Sequence, residues 1–101
     1  MVVISKSTLK NAIKSYPEAE LALNTWYDLT KQSDWKSFNE MKKTFNSVDS
    51  VGNDRYVFNI KGNHFRLISL ILFKIRTVYI LFIGTHKEYD GVNASEITFK
   101  N

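Results

Sequence analysis

The pattern of apolar and polar positions divides the chain into a helical first half and a strand-rich second half. In the first half, apolar residues recur every three or four positions, the spacing of one helix face. The first group is Leu9, Ala12, Ile13 and Tyr16, and the second is Ala19, Ala22, Leu23, Trp26 and Leu29. Pro17 separates them, and its fixed φ suits the first position of a new helix. The pattern predicts two antiparallel helices joined by a tight turn.

The flanks of these helices predict further short elements. Val2–Ile4 predicts a first strand, and the Ser5 hydroxyl can cap the helix that follows by accepting from a free backbone N–H. Ser33–Asp34 interrupts the pattern and can cap a short third helix. Ser37 and Glu40 also have the spacing of a capping box. The inward side of the third helix is marked by Trp35, Phe38, Met41 or Lys42, and Phe45.

The second half carries the period-two alternation of strands. Residues 56–61 alternate, and Lys61–Asn63 is a turn signal that predicts a β-hairpin. The returning strand, residues 64–74, directs alternate side chains to one face, namely Phe65, Leu67, Ser69, Ile71 and Phe73. After a second turn at residues 75–77, Val78–Ile83 is apolar on both faces, as a central strand is, and Gly84 is expected to end it.

The segments around these strands are more polar. Residues 46–54 predict a loop with a short edge strand, and residues 85–90 form a polar hexapeptide that Gly91 breaks. The tail, residues 92–101, is expected to add a short strand or helix through Ile97 and Phe99.

Composition narrows the class of protein. With 101 residues and 44% hydrophobic content, the chain is expected to form one domain with its own core. The absence of cysteine excludes disulfides and thiolate metal sites. Val78–Ile83 is far too short for a bilayer span, which needs about 20 apolar residues. Met1–Ile4 leads directly into a polar helix start, so we expect no signal peptide and a cytoplasmic protein.

Charge is distributed unevenly along the chain. The net charge is +4, yet residues 1–54 contain seven Lys or Arg and seven Asp or Glu, so the excess lies in the later part. From Arg55 to Lys87 there is no acidic residue, and both histidines fall in this stretch. Its cations are Arg55, Lys61, Arg66, Lys74, Arg76 and Lys87. A sheet with basic edges is what an RNA-phosphate site needs.

Several short segments of this basic stretch resemble the HigB toxins, which belong to the RelE/ParE-type superfamily of bacterial toxin–antitoxin systems. They are Arg55-Tyr56-Val57-Phe58-Asn59, Gly62-Asn63, Arg66 and Thr85-His86-Lys87-Glu88-Tyr89-Asp90. The resemblance implies an α+β fold over residues 1–101, with two to three N-terminal helices packed on a twisted, mainly antiparallel sheet of four or five strands. It also implies a ribosome-dependent mRNA endoribonuclease without metal or other cofactor, and a HigA-like antitoxin with a helix-turn-helix domain.

Metal-free RNA cleavage uses the adjacent 2′-hydroxyl as nucleophile, and the enzyme moves protons and stabilises the charge that develops on the phosphate. His86 is the first acid–base candidate because imidazole titrates near neutrality. Arg66 and Lys87 can stabilise phosphate charge, and Tyr89 can stack on a base or donate its hydroxyl. We expect these four to converge on one concave face of the sheet. The expected RNA-binding residues are Arg55, Lys61, Asn63 and His64.

Each candidate also has a structural interpretation. Arg66 can flank the hairpin, His86 can hydrogen-bond a backbone carbonyl, and Lys87 can be a solvated loop charge. The Tyr89 ring can pack on the core. For His64 and Asn63 the structural interpretation is the favoured one: at the turn exit a backbone hydrogen bond satisfies His64, and turns favour Asn.

Two other functions compete with the nuclease. One is a non-catalytic toxin of the same fold that inhibits a protein target, and the other is an RNA- or ribosome-binding module without catalysis. The combination of Arg66, His86 and Lys87 favours an enzyme, since a binder needs no proton-transfer group. A metal hydrolase is disfavoured because two histidines without a matching acidic cluster are a poor ligand set.

Overall fold

A computed structural model describes residues 1–98 as one helical layer on a five-stranded sheet. The strands are β1 (Val2–Ile4), β2 (Val48–Gly52), β3 (Arg55–Ile60), β4 (Phe65–Leu72) and β5 (Thr77–Thr85). The α-helices are α1 (Lys6–Ser15), α2 (Glu20–Gln32), α3 (Phe38–Thr44) and α4 (His86–Asp90). Single 3₁₀ turns at Pro17–Ala19 and Phe73–Ile75 complete the connections.

The sheet has the order β1-β5-β4-β3-β2. β1 pairs with β5 in parallel, and every other neighbouring pair is antiparallel. Three helices precede the last four strands, so the predicted α+β class, with a mainly antiparallel sheet of four or five strands, is confirmed. β5 lies between β1 and β4, so it is a central strand, as the sequence predicted.

The hydrophobic core lies between the helices and one face of the sheet. Its largest buried side chain is Trp26 of α2, whose ring meets the edge of Phe58 on β3 at a centroid distance of 5.4 Å. Phe45 lies against both rings, at 6.5 Å from Trp26 and 5.3 Å from Phe58, and Trp35 packs on Phe45 at 5.8 Å. These rings join α2 and the segments around α3 to the sheet.

The predicted helices form, with three local differences. Ser5 adopts a left-handed conformation and its side chain makes no capping hydrogen bond, so the predicted cap is wrong. On α2, Thr30 is fully buried whereas Leu29 is 40% exposed, so the inward face is turned by one residue at this end. Helix α3 begins at Phe38 rather than after Asp34, because Ser37 accepts the backbone N–H of Glu40.

Helices α1 and α2 run in opposite directions, as predicted. The 3₁₀ turn at Pro17–Ala19 connects the end of α1 to the start of α2. At the other end, the Lys6 ammonium on the first turn of α1 lies 5.1 Å from the ring centre of Tyr27 in the second half of α2.

The predicted edge strand in residues 46–54 is β2, but the end of β5 differs from expectation. Gly84 is buried inside β5 and does not terminate it, since the strand continues to Thr85. The polar hexapeptide then forms α4, which the sequence pattern did not predict.

The segment after α4 contains turns but no strand or helix up to residue 98, so the element expected through Ile97 is absent there, while Phe99 lies outside the described residues. This segment returns to the turn between β2 and β3, where Asn53 donates to the Ser95 carbonyl. Within residues 1–98, no helix is long and apolar enough to cross a membrane.

Candidate functional site

An open cleft of about 520 Å³ lies at the end of the sheet where the β3–β4 turn meets the junction of β5 and α4. Strand register places these two segments side by side, because Phe65 pairs with Thr85 and Arg66 with Gly84. The cleft is lined by Glu18, Lys61, Asn63, His64, Phe65, Thr85, His86 and Lys87. Apart from the two histidines, the cleft has three charged side chains, namely the two lysines and Glu18.

Both histidines line this cleft, and a backbone hydrogen bond connects them. The N–H of His86 donates to the carbonyl oxygen of His64 at 3.2 Å, across the end of the β4–β5 pair. The β3–β4 turn has Lys61 and Gly62 in the left-handed region, with φ of 53° and 65°. Two successive positive φ values are typical of a tight hairpin turn, which glycine adopts without steric cost. The turn therefore fixes where Asn63 and His64 enter the cleft.

Helix α4 holds His86 and Lys87 through a capping box. Thr85 Oγ1 accepts the N–H of Glu88 at 3.1 Å, and the Glu88 carboxylate accepts the N–H of Thr85 at 2.8 Å. The two side chains satisfy N–H groups that a helix start otherwise leaves free. His86 and Lys87 lie between these two capping residues, so the box sets their position directly.

The same carboxylate connects α4 to α1. The hydroxyl of Tyr16, which follows α1, donates to Glu88 Oε1 at 2.7 Å, and the Tyr16 ring packs on Phe65 at 5.2 Å. The hydrogen bonds from Thr85 and then Tyr16 lower the pKa of Glu88 below its ordinary 4.5. Reciprocally, the bond to Glu88, with desolvation second, raises the pKa of Tyr16 above 10.0. We call Tyr16, Glu88 and Thr85 the clamp.

His86 has an acidic neighbour on its own helix. Its Nδ1 lies 3.8 Å from Asp90 Oδ1, one turn later, and both side chains are more than half exposed. An exposed pair of this kind contributes little to stability. Because Nδ1 faces the Asp90 carboxylate, Nε2 is the ring nitrogen that is available to contact a substrate.

Arg66 and Tyr89 form a pair beside the cleft. The Arg66 guanidinium carbon lies 5.9 Å from the centre of the Tyr89 ring, within the range of a cation–π contact. The same guanidinium donates to the carbonyl oxygens of Asn63 at 3.2 Å and Phe65 at 3.3 Å. Since Asn63 lines the cleft, this pair adjoins it without forming its wall. Of the four expected catalytic residues, His86 and Lys87 therefore line the cleft, whereas Arg66 and Tyr89 lie beside it.

Arg55 is not brought to this region. It lies at the other end of β3, opposite Leu70, about 16 Å along the strand from the turn at 3.3 Å per residue. Its guanidinium donates to the carbonyls of Ile97, at 2.8 and 3.2 Å, and Asn53, at 2.8 Å. The structure therefore assigns Arg55 a role in holding the C-terminal segment, while Lys61, Asn63 and His64 are placed in the cleft.

Three residues of the site are not among the candidates that the sequence indicates. Thr85 and Glu88 form the capping box, and their Thr-x-x-Glu spacing was readable in the hexapeptide. Tyr16 was interpreted only as a core residue, and no sequence signal indicates its bond to Glu88, which lies 72 positions later.

The arrangement can bind a phosphate and move protons. Lys61 and Lys87 supply positive charge, the two imidazoles can donate or accept a proton, and Arg66 offers a planar fork of donors nearby. Over residues 1–98, no group of three or more histidine and acidic side chains is arranged to hold a metal ion.

The known proteins that this chain resembles all belong to one toxin family. A model of the HigB toxin family, described as the RelE-like toxic component of a toxin–antitoxin system, matches residues 19–92. The chain is 33% identical over 92 residues to the mRNA interferase HigB of Escherichia coli O6:H1, which covers 89% of each protein. It is 32% identical over 96 residues, 93% of this chain and 92% of the relative, to the mRNA interferase toxin HigB of Escherichia coli K12. The mRNA interferase HigB of Shigella flexneri matches to the same extent.

Proposed function

The chain belongs to the HigB family of RelE-like toxins, and from this membership we propose how its cleft cleaves messenger RNA. It is the toxin of a toxin–antitoxin system and an mRNA endoribonuclease. The antitoxin is its partner, and we propose that the partner is of the HigA-like, helix-turn-helix type. We further propose that the substrate is messenger RNA on translating ribosomes and that the protein therefore acts in the cytoplasm.

The observation that carries the mechanism is the meeting of His86 and Lys87 with Lys61, Asn63 and His64 across one open cleft. A message strand in this cleft has its scissile phosphate beside the two lysines, which offset its negative charge. The 2′-hydroxyl attacks the adjacent phosphorus, the bond to the 5′-oxygen breaks, and a cyclic phosphate and a 5′-hydroxyl result. The nucleophile loses one proton and the leaving oxygen gains one, so this step consumes no water and needs no metal.

We assign His86 to proton transfer because its side chain is exposed in the cleft and its Nδ1 faces Asp90. His64, whose carbonyl oxygen accepts the backbone N–H of His86, is the second group in the cleft that is able to donate or accept a proton. Arg66 approaches the phosphate from the rim, and the Tyr89 ring supports its guanidinium or stacks on a base. Asn63 orients the strand from the turn. General acid–base help of this kind contributes about 10²- to 10⁴-fold, and charge stabilisation is usually the larger contribution.

The test is cleavage of a defined message on purified ribosomes by single alanine variants, measured as a single-turnover rate. We expect His86→Ala to lower the rate by about 10²- to 10⁴-fold. Arg66→Ala is expected to lower it by roughly 10²-fold or more. Lys36→Ala, which changes an exposed lysine before α3, is the matched control and is expected to cleave like the wild type. Wild-type rates in both His86→Ala and Arg66→Ala would refute the assignment.

Primer extension on the same message separates cleavage from binding. New 5′ ends that depend on His86 support the nuclease. Inhibited translation without new ends would instead identify a toxin that acts by binding alone. Mapping with and without ribosomes decides whether the ribosome is required.

A further inference from the structure

The face of the sheet that points away from α1, α2 and α3 has buried apolar side chains of its own. Val57 of β3 and Ile68 of β4 are register partners and are 4% and 0% exposed. Side chains alternate between the two faces of a strand, so these two point away from Phe58 and Leu67, which belong to the core under the helices. Another segment must therefore cover Val57 and Ile68.

Residues 91–97, which follow α4, are placed to cover them, and we call these residues the strap. Arg55 lies two positions before Val57, so it is on the same outer face of β3. Its guanidinium donates twice to the carbonyl oxygen of Ile97, at 2.8 and 3.2 Å. The apolar side chains of the strap are half-buried, namely Val92, Ala94 and Ile97. The strap thus lies across the outer face with its apolar side chains turned inward.

Two arginines of the outer face hold the two ends of this region. At the cleft end, Arg66 lies two positions before Ile68, and its guanidinium carbon is 5.9 Å from the Tyr89 ring centre on α4. At the far end, Arg55 holds Ile97. The chain from Tyr89 to Ile97 therefore runs along the sheet from the cleft to the opposite end of β3.

The strap is bonded to α4 and tied to the sheet a second time. The N–H groups of Gly91 and Val92 donate to the carbonyl oxygens of Glu88 at 3.2 Å and Tyr89 at 2.9 Å. The amide of Asn53 donates to the Ser95 carbonyl at 2.9 Å. Helix α4 has five residues, none of them buried, and a helix this short is not stable by itself. Its position must therefore be fixed by what is attached to its two ends.

The charge of Arg55 has no acidic partner to explain it. The ion pairs found within residues 1–98 are Arg76 with Asp34 and His86 with Asp90. The donors of Arg55 instead go to the backbone carbonyls of Ile97 and Asn53. Hydrogen bonds from an ionised donor are stronger than neutral ones, and the planar fork of arginine can give two of them to one oxygen.

We propose that Arg55 is a positioning residue for cleavage, which anchors the strap to the sheet and thereby holds α4, with His86 and Lys87, at the cleft. This inference rests on the proposed function, since it concerns the rate at which the cleft cleaves RNA. Arg55 lies about 16 Å along β3 from the turn, at 3.3 Å per residue, so it acts through the strap and not on the substrate.

The experiment compares Arg55→Gln with Arg76→Gln in kcat and in KM for ribosomes that carry a defined message. Each substitution removes one positive charge and one guanidinium that bonds to a backbone carbonyl. Arg76 donates to the Phe73 carbonyl at 2.7 Å and pairs with Asp34, and both partners lie outside the strap. Rates are measured at a temperature at which circular dichroism shows each variant to be folded.

We expect Arg55→Gln to lower kcat by about tenfold or more and to change KM by less than about twofold, because displaced catalytic groups slow the reaction without weakening binding. Arg76→Gln is expected to keep both values. A lost phosphate contact would have the opposite effect, a raised KM that depends on salt.

Two further variants separate the anchor from the charge. Asn53→Gly removes the amide that donates to Ser95, at a φ of 52° that glycine adopts freely, and is expected to lower kcat in the same direction. Arg55→Lys keeps the charge but has no planar fork, so it is expected to recover only part of the lost kcat.

Hydrogen exchange reports directly on α4 and the strap. In Arg55→Gln we expect the amides of residues 86–97 to exchange about tenfold faster than in the wild type, while those of β4 and β5 keep their rates, because only the anchored segment is loosened. Wild-type exchange across residues 86–97 in this variant would overturn the proposal.

The kinetic results distinguish the remaining outcomes. A raised KM with unchanged kcat in Arg55→Gln would assign Arg55 to RNA binding and overturn the positioning role. Equal losses of kcat in Arg55→Gln and Arg76→Gln would overturn it too, because a general loss of charge or stability would then be sufficient. Primer extension with the wild type is run in parallel. If the wild type leaves no new 5′ ends, the proposed function fails, and hydrogen exchange still decides whether Arg55 holds α4.

Discussion

At the scale of single residues, the site depends on a carboxylate that does no chemistry on RNA. Glu88 accepts from the Thr85 N–H and the Tyr16 hydroxyl, and it lies between Lys87 and Tyr89 in the chain. It is thus a positioning residue for the helix that carries the proposed catalytic groups. A displacement of about 1 Å in such a group can cost up to about 10²-fold in rate.

Removal of the Tyr16 hydroxyl tests this role. Tyr16→Phe keeps the ring on Phe65 and deletes only the bond to Glu88, so we expect kcat to fall by roughly tenfold with KM for ribosomes little changed. Tyr27→Phe, which alters a hydroxyl elsewhere in the helical layer, is the control. Equal kcat values for Tyr16→Phe and the wild type would show that the clamp does not position α4.

The same variant has a defined pH signature. The pKa of Glu88 is lowered on folding, so its stabilising effect is present above about pH 4.5 and is lost as the pH falls through the folded-state pKa. The pKa of Tyr16 is raised, so its effect is present below pH 10 and is lost as the pH rises through the folded-state value. The difference in Tm between wild type and Tyr16→Phe is therefore expected to be largest between these limits and to shrink as the pH falls through the folded-state pKa of Glu88. A difference that stays constant from pH 7 to pH 3 would contradict the clamp.

At the scale of elements, the periodic segments were predictable and the functional helix was not. The apolar spacing of α1 and α2 and the alternation in β3 and β4 each reflect burial of one face, which a sequence records directly. Helix α4 buries none of its five residues, so it leaves no apolar period. It forms because Thr85 and Glu88 cap it and because Tyr16, distant in sequence, fixes the cap. The burial of Thr30 in place of Leu29 has a related reason, since tertiary packing decides which side chains are buried in the last turn of α2.

Gly84 shows how strand β5 and helix α4 depend on each other. A Cβ at this position would lie 2.7 Å from Cζ of Phe82 and 2.9 Å from Oε1 of Glu88. Gly84→Ala must therefore move both the Phe82 ring and the Glu88 carboxylate, and we expect a loss of about 1–3 kcal/mol in the free energy of unfolding. Because Glu88 belongs to the clamp, the cleavage rate should fall as well.

Gly91→Ala supplies the matched control for this prediction. There a Cβ would meet only the Glu88 carbonyl oxygen at 3.7 Å, an ordinary contact, and φ is −89°. Urea unfolding of both variants measures the effect, and Gly91→Ala is expected to stay within about 0.5 kcal/mol of the wild type. If the two alanines destabilise equally, close packing at Gly84 is not what excludes a side chain there.

At the scale of the whole molecule, the sequence indicated which part of the chain supplies most of the cleft, but not how its segments meet. Every residue that lines the cleft except Glu18 lies in the basic stretch from Arg55 to Lys87, because the β3–β4 turn and the end of β5 both lie in it. Its outlier, Arg55, could not be separated in advance, because only the strand register shows that it lies at the far end of β3. The cleft is made of segments from the helical layer and from two strands, so its shape depends on how the two layers are held together.

The aromatic cluster of Trp26, Phe45 and Phe58 holds those layers, and Phe58 is its link to the sheet. Phe58 is 1% exposed, so Phe58→Ala leaves a cavity and is expected to cost about 3–5 kcal/mol of unfolding free energy. A domain of this size has roughly 5–15 kcal/mol in total, so the Tm of the variant should fall by more than about 10 °C, or the variant should lose its folded state at 37 °C. Leu21→Ala, at a position 81% exposed on α2, should change stability by less than about 0.5 kcal/mol. Thermal and urea unfolding followed by circular dichroism compare the two, and a loss below about 1 kcal/mol in Phe58→Ala would mean that other contacts hold the helices on the sheet.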